Sequence, residues 1–211
     1  MTHLEVEVKF WVSDLTAVRA DVIAAGGQLV RPRVFEQNVR YDTTNNDLQT
    51  RGALLRLRAD TETRLTFKGL PPQDPATGQG QARVREELEV VVSDFDLMAT
   101  MLERLGFAPR QRYEKYREAF RLGSVEVVLD ELPFGDFVEL EGPVEALAET
   151  AAVLGLDWEQ RILLNYLALL DELKARVDLP FADLTFDNFA GRETTLRGIV
   201  SQVHQLGGDR L

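Results

Sequence analysis

The side chains of this chain that could do chemistry are almost all charged, and they recur at a spacing of two. In Glu5-Val6-Glu7-Val8-Lys9-Phe10, two acids and a lysine alternate with apolar residues. The pattern returns in Leu55-Arg56-Leu57-Arg58, in Arg64-Leu65-Thr66-Phe67-Lys68, and where Arg85, Glu87 and Glu89 stand against Leu88 and Val90. Farther on, Lys115 and Arg117 share a parity, as do Glu126 and Asp130, and Glu139 and Glu141 oppose Val138 and Leu140. Grouped carboxylates are oxygen donors suited to Mg²⁺ or Mn²⁺. Arginine forks and lysines hold phosphate oxygens. Brought together, the two sets suit phosphoryl transfer, which asks mainly for positioning and charge stabilisation.

A spacing of two belongs to β-strands, whose successive side chains point to opposite faces. The ordinary meaning of such alternation is an antiparallel sheet with its polar face in water. Three features point instead to an enclosed polar face. The polar positions are seldom Ser, Thr, Asn or Gln. Like charges repeat along one strand, at Glu5/Glu7, Arg56/Arg58, Glu87/Glu89 and Glu139/Glu141; at about 7 Å and an effective dielectric near 20, each such pair repels by roughly 2 kcal/mol. Acids and bases also fall mostly on different strands, so a sheet curled into a barrel would bring opposite charges together.

The elements that must position these residues are also legible. Ser13-Asp14 caps a helix carrying Leu15, Val18 and Val22 that ends at Gly26-Gly27. A second helix starts at Ser93, carries Met98, Met101, Leu102 and Leu105, and ends at Gly106. Each follows a charged strand and precedes a basic extended segment, residues 34–43 and 112–121, which reads as a weak internal repeat of strand, helix, strands. Residues 69–82, rich in Pro and Gly, read as a loop between two strands. Residues 144–154, 158–177 and 194–206 have helical spacing and read as packing helices. The whole chain is expected to form one domain, with residues 1–142 building the strands and two helices and residues 143–211 a mainly helical remainder.

Composition narrows the function classes. The chain has 211 residues, 45% hydrophobic, enough for a real core. It has no cysteine, and its two histidines, His3 and His204, form no HExxH motif, which excludes thiolate sites and disfavours a zinc hydrolase. A net charge of −11 argues against a nucleic-acid or membrane-surface partner. It also requires any phosphate-binding bases to be gathered locally. No apolar run approaches a membrane span and the first residues lack a signal-peptide core, so a cytoplasmic protein is expected. No GxxxxGK[ST] loop is present.

The ordered blocks resemble the CYTH, or triphosphate tunnel metalloenzyme, superfamily. Its N-terminal ExExK stands here as Glu5 to Lys9. It is followed by Tyr41-Asp42-Thr43, Leu55 to Arg58, Leu65 to Lys68, Arg85 to Glu89, Tyr113 to Arg117, Leu129-Asp130 and Phe134 to Glu141. The later blocks most resemble the branch related to class IV adenylate cyclases. The resemblance implies an α+β fold, an eight-stranded antiparallel closed barrel forming a tunnel surrounded by helices. It implies that Glu5, Glu7, Asp130, Glu139 and Glu141 hold Mg²⁺ or Mn²⁺, with Glu87 and Glu89 as acidic lining. Lys9, Arg56, Arg58, Lys68, Lys115 and Arg117 would grip a triphosphate. Lys115 and Glu126 read equally as surface charges near strand ends, Arg40 and Arg64 have tunnel parity, and Tyr41 and Tyr113 are assigned to packing.

Three activities follow as expectations. The first is metal-dependent hydrolysis of an inorganic, nucleoside or thiamine triphosphate, with Lys9 as a catalytic residue assisting proton removal if burial lowers its pKa. The second is cyclisation of ATP to cyclic AMP, which needs a pocket for the base. The third is a polyphosphate- or nucleotide-binding module, which could dispense with the carboxylates. The partner is a small triphosphate; a monomer and a homodimer stay open.

Overall fold

The computed structural model describes residues 3–70 and 81–192. Eight strands form: β1 (His3–Val12), β2 (Gln28–Asp42), β3 (Leu54–Ala59), β4 (Thr63–Gly69), β5 (Arg83–Val92), β6 (Ala108–Leu122), β7 (Val125–Leu132) and β8 (Gly135–Glu141). They close into a barrel in the order β1-β5-β4-β3-β2-β6-β7-β8, every neighbouring pair antiparallel. Closure pairs every strand on both sides over part of its length and gives the barrel an inner and an outer face.

The helices are α1 (Leu15–Ala24), α2 (Asp47–Thr50), α3 (Phe95–Arg104), α4 (Val144–Val153), α5 (Tyr166–Lys174) and α6 (Phe186–Phe189). The internal repeat read from the sequence is visible as β1-α1-β2 and β5-α3-β6. Asp14 caps α1 by accepting from the Ala17 N–H at 2.9 Å, and Asp94 caps α3 by accepting from Leu97 at 2.8 Å. Gly26 and Gly106 follow these helices at φ +89° and +90°, a backbone region that L side chains rarely adopt. The corresponding strands lie side by side, β1 with β5 and β2 with β6.

The apolar parity of the strands faces outward and is covered by helices. Val8, Phe10, Val127, Leu129, Val138 and Leu140 pack with Val18 and Val22 of α1 and Leu147 and Ala151 of α4. Val39, Tyr41 and Leu57 pack with Leu102 of α3. A third cluster has no counterpart in this scheme. Trp11 pairs with Phe137, and both have the same parity as Lys9 and Glu139, so they face inward. They meet Ile162, Tyr166, Leu169 and Leu170 from the C-terminal segment. One end of the barrel is therefore filled with apolar side chains.

The segment that fills it is tied down at two places. Ile162 exchanges backbone hydrogen bonds with Lys9 at 2.7 and 3.1 Å, taking over the edge of β1 beyond its last β5 partner, Glu7. Leu184 bonds Arg112 and Glu114, each at 2.9 Å, on the edge of β6 that precedes its first β7 partner, Tyr116. These bridges correct the expectation of one helix over residues 158–177. The structure has a 3-10 turn at Trp158–Gln160, the bridging residue Ile162, and α5 starting at Tyr166 behind its cap Asn165. The Ile162 backbone is committed to β1 and cannot also propagate a helix. The expected helix at residues 194–206 lies outside the described residues, as do residues 71–80 of the loop that joins β4 to β5. No helix among the described residues is long and apolar enough to cross a membrane.

Candidate active site

The barrel interior holds a cavity of about 610 Å³. Its wall is built from the charged parity positions. β1 contributes Glu5, Glu7 and Lys9; β3 Arg56 and Arg58; β4 Lys68; β5 Glu87 and Glu89; β6 Lys115 and Arg117; and β8 Glu139 and Glu141. Twelve of the thirteen residues expected to hold metal, grip phosphate or add acidic lining thus face one space. The thirteenth, Asp130 on β7, lies behind the wall with no exposure.

Acids and bases are paired across strands. Lys68 Nζ lies 2.5 Å from Glu5 and 3.1 Å from Glu87. Lys9 Nζ lies 2.8 Å from Glu7 and 3.1 Å from Glu139, while Arg83 reaches Glu7 at 3.0 Å. Arg117 donates to both oxygens of Asp130, at 2.7 and 2.5 Å, and also to Glu139. Arg56 donates to the Tyr113 hydroxyl at 3.1 Å and to Thr66 at 3.2 Å. Lys115, for which the alternative was a surface charge near a strand end, is 3% exposed and bonds Asp130 at 3.0 Å.

These pairings decide the protonation states. Burial raises the pKa of Glu7, but Lys9, Lys68 and Arg83 together outweigh it and hold the group at about 2. Glu139 is likewise held well below the usual range, against its burial, by Lys9 and Arg117. Glu141 differs: burial and the neighbouring Glu5 and Glu126 push it up to about 7. Glu5 is also raised, by burial and then by Glu7. Burial alone would lower Lys9, as the sequence reading required for proton removal. Glu139 and Glu7 reverse that and raise it. In this arrangement, with Glu7 and Glu139 beside it, Lys9 is held as an ammonium and supplies positive charge to the cavity.

A model of the CYTH domain matches residues 3–162. The chain belongs to the CYTH family. It is 27% identical over 153 residues to a Methanocaldococcus jannaschii protein provisionally named an adenylate cyclase, covering 72% of this chain and 83% of that one. Among solved structures it is similar to a Pyrococcus horikoshii protein, with a TM-score of 0.66 and 27% identity over 80% of this chain and 99% of that chain. It also shares its fold with a provisionally named adenylate cyclase from Vibrio parahaemolyticus, with a TM-score of 0.70 and 24% identity over 81% and 99% of the two chains.

The CYTH barrel brings in residues that the strand reading passed over. Glu36 and Asn38 on β2 are both fully buried. They share a parity with Arg40, whose inward orientation was considered, and that signal was available for them too. Arg40 itself turns to Gln49 at 2.8 Å, and Arg64 to Asp60 at 3.1 Å; neither lines the cavity. Tyr113, expected to pack, is instead a cavity residue. It has the same parity as Lys115 and Arg117, and its hydroxyl accepts from Arg56 inside the cavity. Tyr41 packs outward with Leu57 as expected. Tyr166 also lines the cavity, and it lies beyond the CYTH match in a helix that carries no motif.

Proposed function

We propose that this protein is a divalent-metal-dependent triphosphatase. One observation carries the reading: six cations expected to grip phosphate and four carboxylates expected to hold metal line a single cavity inside the barrel. Oxyanion charge of a triphosphate would be met by preorganised guanidinium and ammonium groups, which are strongest where water is excluded.

The donor set fits Mg²⁺ or Mn²⁺. Glu5, Glu7, Glu139 and Glu141 are all oxygen donors, which these ions prefer. Glu141, crowded by Glu5 and Glu126 and raised to about 7, is a carboxylate in need of a cation. No three acidic side chains form a ready-made cage among the described residues, and Glu5, Glu7 and Glu139 each pair with a lysine or arginine. Asp130 was expected among the ligands. In this structure its oxygens accept from Arg117, Lys115 and Tyr166, and in that arrangement it anchors those side chains.

The bound ion would neutralise phosphate charge and lower the pKa of its water. The protein's own side chains would do the rest. Lys68 and Lys9 leave their carboxylate partners for phosphate oxygens, and Arg56, Arg58, Lys115 and Arg117 hold the remaining oxygens in line. Water attacks the terminal phosphorus and gives up a proton to solvent; a phosphorus–oxygen bond forms as the bridging bond breaks, releasing phosphate and diphosphate or a nucleoside diphosphate. Glu87 and Glu89 hold Lys68 and Arg58 in place.

Cyclisation of ATP is the second reading. It is favoured by the name of the archaeal relative and by a cavity volume that also suits a nucleoside. A provisionally named adenylyl cyclase from Hippeastrum, 18% identical with a TM-score of 0.57, is described as having a dominant triphosphatase activity. The test is a product assay with inorganic triphosphate and with ATP, in Mg²⁺ or Mn²⁺. Phosphate release abolished by chelation is expected. Cyclic AMP and diphosphate as the products would move the assignment to cyclase, and full turnover in chelator would overturn the metal-dependent reading.

A further inference from the structure

Tyr166 opens α5, four residues past the end of the CYTH match at Ile162. Asn165 fixes the start of that helix by accepting from the Ala168 N–H at 2.9 Å, and the Ile162–Lys9 bridge fixes the chain just before it. The Tyr166 ring is thereby set into the closed end of the barrel, with its centroid 5.2 Å from that of Phe137. Lys9 Nζ and Lys115 Nζ lie 5.4 and 5.3 Å from the ring centroid, within cation–π range. Its hydroxyl donates to Asp130 Oδ2 at 2.8 Å. That oxygen also accepts from Lys115 and Arg117. One side chain thus touches two of the six cavity cations directly and a third through Asp130.

We propose that Tyr166 is a positioning residue for substrate binding: it shares the charge of Asp130, so that Lys115 and Arg117 keep positive charge free for phosphate, and it holds both lysines toward the cavity. A buried carboxylate facing two cations and no other donor draws them onto itself. A third donor on the same oxygen weakens that pull without removing the anchor. The inference rests on the triphosphate reading of the cavity. It adds that residues outside the family match help determine its affinity.

Tyr166→Phe separates the two contributions, since Phe keeps the ring between Phe137 and the lysines and removes only the donor. The dissociation constant of inorganic triphosphate in Mn²⁺, measured by calorimetry, is expected to rise about tenfold, the order of one charge-assisted hydrogen bond. KM should rise with it while kcat changes less. Leu170→Ala is the structural comparison: Leu170 is fully buried in the same helix and does not line the cavity. It should lower the melting temperature by several degrees and leave the dissociation constant unchanged. Wild-type affinity in Tyr166→Phe would overturn the proposal, and so would an equal loss in Leu170→Ala, because a loosened helix would then account for both. A wild-type protein that binds no triphosphate would instead overturn the proposed function itself.

Discussion

Glu36 shows most clearly how single residues maintain this cavity. It is fully buried on β2, 3.6 Å from Arg31 and Arg58 and 3.7 Å from Lys115, and neither carboxylate oxygen has a hydrogen-bond partner. Burial raises its pKa, but Lys115, Arg117, Arg58 and Arg56 outweigh that and hold it at about 2, against an ordinary 4.5. It is an internal counterion for the phosphate-binding side. A depressed carboxylate pKa contributes stability that is present above the unfolded pKa and lost as pH falls toward the folded one. Glu36→Gln should therefore lower stability near neutral pH by about 3 kcal/mol, the order for removing one partner of a buried ion pair. The gap between variant and wild type should narrow from about pH 4.5 downward toward pH 2. Urea titrations at a series of pH values would check this, and a gap that stays constant with pH would remove Glu36 from the role.

At the scale of elements, the barrel separates two jobs that share the same strands. Apolar positions face outward under α1, α3 and α4, and charged positions face inward. Damage to a covering helix should thus cost stability without touching the ligand. Asp94→Ala removes the cap that accepts from Leu97 and should cost about 1 kcal/mol. Triphosphate affinity at a temperature where the variant is folded should equal that of wild type. Denaturant midpoints and calorimetric titration report the two quantities separately, and a matching loss in both would show that the outer shell and the cavity are not independent. The C-terminal segment belongs to a different class of element. Its bridges to β1 and β6 and its apolar side chains close one end of the barrel, so it has one face in the core and another toward the site.

For the molecule as a whole, the charge balance predicts coupled binding. In the structure, expected metal ligands and expected phosphate cations neutralise each other: Lys68 with Glu5, Lys9 with Glu7, Arg117 with Glu139. A triphosphate binding alone would draw off the cations and strand buried carboxylates. A metal ion alone would occupy the carboxylates and strand buried cations. Either outcome is costly where water is restricted, and only joint binding satisfies both sets. A ligand at one hundred times its dissociation constant stabilises the folded state by about 2.7 kcal/mol. Triphosphate with Mn²⁺ should therefore raise the melting temperature by more than the sum of the two separate shifts. Scanning calorimetry with each component and with both decides it; additive shifts would mean that the two sets do not exchange partners.

The sequence by itself determined the strands, their inward and outward faces, the caps of α1 and α3, and most of the cavity wall. These are local properties, since a period of two and a capping aspartate are set by neighbouring backbone. The parity rule would also have reached Glu36, Asn38 and Tyr113, which lie on the same strand faces as residues that were chosen. Tertiary structure alone decided the rest. Closure of β1 onto β8 joins segments at opposite ends of the barrel sequence and converts a polar sheet face into an enclosed space. Depth along the barrel separates Glu139, at the wall, from Asp130, behind it, although both face inward. The rise of the Lys9 pKa depends on Glu139 lying opposite it across that closure. Tyr166 had no signal of its own. A single tyrosine in an amphipathic helix reads as core until the bridge from Ile162 to Lys9 carries it into the end of the barrel, because long-range backbone pairing leaves no trace in local spacing.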